Sequence, residues 1–142
     1  MVKVDDGDTN HQLLTTEIET LNSFRSRSGL ALSVYIDLRS TQQKEKAIDT
    51  VRSLVRRCLE DLKCDERDWE TIQEDLDLIQ IYLRTNSNRQ AIGVAVFSCA
   101  QDLFWRACPV WAPITTEVYI GSEFNTRQFL EVTERAKAKS VA

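Results

Sequence analysis

Ala91-Ile92-Gly93-Val94-Ala95-Val96-Phe97-Ser98-Cys99 is apolar at nearly every position. Alternate side chains of a strand point to opposite faces. Ile92, Val94 and Val96 therefore share one side, and Ala91, Ala95 and Phe97 share the other. A run that is apolar on both sides predicts a strand at the centre of a sheet, with helices covering each face. A short turn from Ala100 to Asp102 follows, and Leu103 to Cys108 reads as the hairpin partner. Pro109 and Pro113 then bracket a loop containing Trp111, in a segment that cannot be a central strand. Thr116 to Ile120 is a fourth strand, ended by Gly121.

Upstream, Leu30, Leu32, Val34, Ile36 and Leu38 alternate with Ala31, Ser33, Tyr35 and Asp37, a strand with one strongly apolar face. Between this strand and the central one lie two helical patterns. Ala47, Val51, Leu54, Val55, Cys58, Leu59 and Leu62 recur at helical spacing, and Leu54 is expected in the core. After the break at Cys64, Asp65 is placed to cap a helix defined by Trp69, Ile72, Leu76, Ile79 and Leu83. Thr85-Asn86-Ser87-Asn88 reads as a loop. At the start, Thr9 to Gln12 has capping-box form. Leu14, Ile18 and Leu21 continue a first helix to about Ser26, with Gly29 as its stop. A last helix begins near Asn125 or Thr126 and carries Phe129 and Leu130.

The predicted order is helix-strand-helix-helix-strand-strand-strand-helix. It implies an α+β fold with a mixed four-stranded sheet packed by helices. Residues 1–8 are expected to be a flexible N-terminus and 9–124 a single α/β domain. Residues 125–142 are expected to be a C-terminal helix or the start of a linker.

The 142-residue chain carries a net charge of −4, unlike most whole-chain nucleic-acid binders. The charge is uneven. Residues 40–63 hold six Lys/Arg against four Asp/Glu, whereas residues 65–84 hold seven acids against Arg67 and Arg84. The tail from Asn125 holds four basic residues against two acidic ones. No apolar stretch approaches the roughly 20 residues that span a bilayer. Met1 to Asp8 is acidic and polar rather than a basic-then-apolar leader. A cytoplasmic protein with no membrane association is expected. Cys58, Cys64, Cys99 and Cys108 form no C-x-x-C pair, which argues for reduced thiols and against a zinc site.

Catalytic signatures are absent from the sequence. Its four glycines, Gly7, Gly29, Gly93 and Gly121, are too far apart to build a phosphate-cradling loop. The single histidine, His11, falls in the first-turn capping region, where a solvated helix-start residue is the simpler reading than a triad member. Glu70, Glu74 and Asp77 share one face of the third helix. That spacing suits a hard divalent cation, but it is first of all the wet side of an amphipathic helix. Cys58 lies in an apolar stripe and reads as packing. Cys99 and Cys108 flank the hairpin without being opposed, so no disulfide is suggested. No catalytic residue, cofactor or metal is assigned, and the chain is expected not to be an enzyme. Trp111 is placed either to anchor a partner or to cap the sheet edge.

Gly29 to Asp37, the basic–apolar helix after it, Gly93 to Cys99 with its hairpin, and Glu117 to Gly121 follow one another in a familiar order and spacing. In these features the chain resembles the N-terminal domain of the archaeo-eukaryotic class-1 peptide-chain release factors, and more closely their bacterial relatives of undetermined role. The resemblance spans roughly Leu14 to Leu130. It implies a three-domain parent in which the central domain carries a Gly-Gly-Gln loop that promotes peptidyl-tRNA hydrolysis. This sequence contains no Gly-Gly pair. Where release factors carry Asn-Ile-Lys-Ser between the two long helices, this chain has Lys63-Cys64-Asp65-Glu66-Arg67-Asp68. Of the Tyr-x-Cys-x-x-x-Cys stretch only Tyr119 matches, with Gly121 and Asn125 at the cysteine positions. Stop-codon reading therefore does not carry over. The resemblance implies a non-catalytic binding domain with ribosome or tRNA as partner. The alternative is a self-associating, homo-oligomeric structural or regulatory domain. For RNA, the candidate contacts are Arg52, Arg56 and Lys63, which fall on one flank of the second helix beside its apolar stripe.

Overall fold

The computed structural model describes residues 16–39, 44–85 and 91–141. A short helix over 16–23 (α1) leads into β1 (Ala31–Asp37). Helices α2 (Lys44–Asp61) and α3 (Glu66–Thr85) follow. β2 (Gly93–Cys99), a single 3-10 turn (Ala100–Asp102), β3 (Phe104–Val110), β4 (Glu117–Gly121) and α4 (Arg127–Val141) complete the order. The capping-box segment at Thr9, His11 and the loop residues 86–88 lie outside the described residues.

The sheet order is β3-β2-β1-β4, so the two strands with the longest apolar runs are central and β2 is buried along its whole length. All three pairings are antiparallel, with Val34 opposite both Val96 and Val118. The expected mixed sheet is therefore corrected. One crossover helix would return the chain to its starting end and give a parallel pair. Two helices reverse it twice, so β2 enters where β1 leaves, and Leu38 N–H bonds to the Ile92 carbonyl at 2.8 Å.

Helices cover both faces. On one face Ile48, Val51, Val55 and Leu59 of α2, with Ile72, Leu76, Ile79 and Leu83 of α3, pack on Leu32, Val34, Ile36, Val94 and Val96. On the other face Leu21 of α1, Phe124, and Phe129 and Val132 of α4 pack on Ala31, Tyr35, Ala95 and Phe97. Through Phe129 and Val132 the C-terminal helix contributes to this second core layer.

Four local readings change. Leu54 is only half-buried, because α2 aims Val51 and Val55 at the sheet and leaves Leu54 on its flank. α1 ends at residue 23, where Phe24 turns inward to stack on Phe124, and Gly29 supplies a positive φ of 79° in the bend before β1. β3 runs on through Pro109 to Val110, which an edge strand tolerates because it has neighbours on one side only. Ser33 and Tyr35, read as the weaker face of β1, have no accessible surface. Ser33 Oγ accepts from Asn125 N–H at 2.9 Å, tying β1 to the start of α4.

The α2–α3 connection uses its polar residues to end one helix and start the next. Lys63 adopts a left-handed φ of 55°, while Cys64 N–H reaches the Leu59 carbonyl and Lys63 N–H the Glu60 carbonyl, each at 3.0 Å. This is a Schellman closure. Asp65 Oδ1 then accepts from Asp68 N–H at 3.0 Å, and Asp68 Oδ2 accepts from Asp65 N–H at 3.3 Å, a reciprocal cap.

Candidate binding surface

Arg52, Arg56 and Lys63 do not form one phosphate-facing row. Arg52 is half-buried between α2 and α3, where its Nη2 donates to Gln80 Oε1 at 2.6 Å and its Nε is buried without a partner among the described residues. A guanidinium held this way is committed to the helix pair. Arg56 and Lys63 are exposed, and so is Arg57, which lies further round the outer surface of α2. Asp49–Arg52, Arg56–Glu60 and Arg57–Asp61 have the spacing of intrahelical ion pairs. None of these pairs forms, and Arg56, Arg57 and Lys63 make no salt bridge with any described residue.

Trp111 sits in the bend after β3 with 59% of its surface exposed. It does not close the core. Val110 and Ile114 do that, and Ile114 lies so close over Gly93 that a Cβ there would come within 2.7 Å of its Cδ1.

A polar cleft of about 390 Å³ lies along β4 and α4, lined in part by Arg39, Arg127, Arg135, Glu117, Glu131 and Tyr119. Its cations are largely answered by local carboxylates. Arg39 holds Asp37 at 2.8 Å, and Glu131 stands 3.6 Å from Arg127 and 4.0 Å from Arg135. The cleft therefore presents no concentrated positive charge.

One buried acid escaped the sequence reading. Asp75 lies in the apolar stripe of α3, three residues after Ile72 and four before Ile79, and is fully buried. Its Oδ1 accepts from the Ser98 hydroxyl and from Ala100 N–H, the latter at 3.0 Å, while Oδ2 is buried without a partner among the described residues. Burial pushes its carboxyl up to about 6, against the pull of those two hydrogen bonds. A charge at a core position of a helical stripe was visible in the spacing.

Burial shifts other interior ionisable groups as well. Burial raises the Tyr35 phenol above its ordinary range and the Cys108 thiol to about 11. Cys99 and Cys108 oppose Phe104 and Ala95, and all four cysteines are free thiols. Among the described residues no group of three or more His, Cys, Asp or Glu side chains is placed to hold a metal, and no helix is long and apolar enough to cross a membrane. Neither a scan against known protein-family models nor a search of curated proteins finds a match to this chain.

Proposed function

We propose that this chain is a non-catalytic binding domain of the release-factor N-terminal type that associates with tRNA or the ribosome through the outer surface of α2 and the turn that follows it. The observation that carries this reading is the set Arg56, Arg57 and Lys63: exposed, cationic, and unpaired with any described carboxylate. Unpaired cations are free to replace the counterions of a phosphate backbone. Contacts of that kind position a nucleic acid without reading its sequence. A role without codon reading is in keeping with the use of Lys63, Cys64, Asp65 and Asp68 to close one helix and cap the next.

The test is titration of labelled tRNA and of ribosomal subunits at low and moderate salt. Arg56→Ala/Arg57→Ala/Lys63→Ala should weaken binding at least about tenfold and flatten the log–log salt dependence by about 2–3. Arg52→Gln should leave that dependence nearly unchanged. Equal affinity for the triple variant and the parent rejects the reading.

A further inference from the structure

The structure assigns a second, separate docking surface to the outer face of α3, with a basic and apolar helix of a protein partner as its occupant. Leu78 and Ile81 are 42% and 57% exposed, three residues apart on one side of the helix. Tyr82, four residues from Leu78, is half-buried against Trp105 of β3, with ring centroids 6.2 Å apart. Helical spacing sets Leu78, Ile81 and Tyr82 along one side of α3, and Tyr82 joins this apolar ridge to Trp105 on the edge strand. Residues at i, i+3 and i+4 form the kind of face that another helix packs against.

Charge selects the occupant. Glu70, Glu74 and Asp77 are all exposed beside the ridge, and none forms a salt bridge with a described residue. Gln73 donates to Asp77 at 2.8 Å, which leaves the carboxylate charge in place. An acidic field repels phosphate and anionic lipid, and it steers a cationic segment in while disfavouring acidic ones. A second copy of this chain fits less well. The other exposed large apolar side chains described are Leu62, Leu103 and Trp111, in three separate connections, and Tyr119 on β4, so they offer no matching apolar helix face.

The probe is a labelled amphipathic helix with leucine on one face and lysine on the other, followed by fluorescence anisotropy against the full chain at physiological salt. The control peptide carries glutamate in place of lysine. The lysine peptide should bind and the glutamate peptide should not. Leu78→Ser/Ile81→Ser and Glu70→Gln/Glu74→Gln should each weaken binding about tenfold or more, with unchanged far-ultraviolet circular dichroism. The α2 triple variant should bind the peptide like the parent, which keeps failure here distinct from failure of the RNA reading. No binding of the lysine peptide overturns the proposal. So does unchanged affinity in Leu78→Ser/Ile81→Ser, which would mean adhesion by charge alone. A dimer seen by sedimentation that dissolves in that variant overturns it in favour of a second copy.

Discussion

Asp75 and Ser98 meet in the interior of the protein: the Ser98 hydroxyl of β2 donates to Asp75 Oδ1 of α3, and neither residue has any accessible surface. Through the same oxygen, Asp75 holds the Ala100 N–H at the start of the β2–β3 turn. One carboxyl therefore joins a helix, the end of a central strand and a hairpin turn. Its other oxygen has no partner among the described residues, so the ionised form is costly there.

This arrangement predicts a pH dependence of a definite sign. Asp75 titrates near 6 when folded and near 3.8 when the carboxyl is unperturbed. Below the lower value both states are protonated and Asp75 exacts no penalty. Between about pH 4 and pH 6 the folded state keeps a proton that the unfolded state has lost, so stability from this group falls as pH rises. Above pH 6 the loss is complete, about 3 kcal/mol by linkage. Urea unfolding from pH 4 to pH 7 checks it. Asp75→Asn should gain on the parent by about that amount across the window. Parallel pH curves for the two proteins would refute the assignment.

Leu59 and Leu54 separate the core of α2 from its flank. Leu59 is 1% exposed and packs in the α2–α3–sheet cluster, so Leu59→Ala should cost about 2–5 kcal/mol. Leu54 is half-buried, and its truncation should cost about 1 kcal/mol, in line with the smaller area it removes from water. Equal losses in chemical denaturation would place the helix on the sheet by a different face.

Gly93 begins β2 under Ile114. A Cβ added there would lie 2.7 Å from Ile114 Cδ1 and 3.1 Å from the Ile36 carbonyl oxygen. Gly93→Ala should therefore destabilise by about 1–3 kcal/mol through overpacking. Ile114→Ala, which removes both Cδ1 and the Cγ1 atom that would lie 2.8 Å from that Cβ, should cost less in the Gly93→Ala chain than in the parent, a partial rescue. Failure of that rescue would trace the cost to the Ile36 backbone instead.

The order of elements was legible because period-2 and helical patterns alternate cleanly from Leu30 to Ile120. The two-sided apolarity of β2 foretold its central place. Strand direction was harder, since it depends on how the α2–α3 hairpin returns the chain and no local pattern records that. Burial on the second face of β1 was hidden because Ser33 and Tyr35 are polar by type and become interior only through partners some ninety residues away in sequence. The candidate row on α2 failed at Arg52 for a similar reason. Helical spacing gives the direction of a side chain but not the neighbour waiting there, in this case Gln80. Leu78 and Ile81 were passed over because they interrupt an acidic face rather than extend the apolar one.

Tyr35 offers the sharpest test of how α4 is held. Its hydroxyl donates to the Asn125 carbonyl at 2.7 Å and accepts from Phe129 N–H at 3.3 Å. Phe129 is in the first turn of α4, where backbone N–H groups have no partner within the helix, so the phenol of a central strand completes that turn. Tyr35→Phe keeps the ring and its edge contact with Phe97, whose centroid is 6.0 Å away. It leaves a part-buried carbonyl and a buried N–H without their partner, which should cost about 1–3 kcal/mol. Tyr119→Phe is the matched control, because among the described residues its hydroxyl bonds only to Glu117, at the surface, and its loss should cost less than about 0.5 kcal/mol. Native-state hydrogen exchange should show Phe129 N–H opening faster in Tyr35→Phe while β2 amides change only by the global loss of stability. If α4 and β2 amides accelerate equally, the phenol contributes to the whole fold and not to the anchoring of α4.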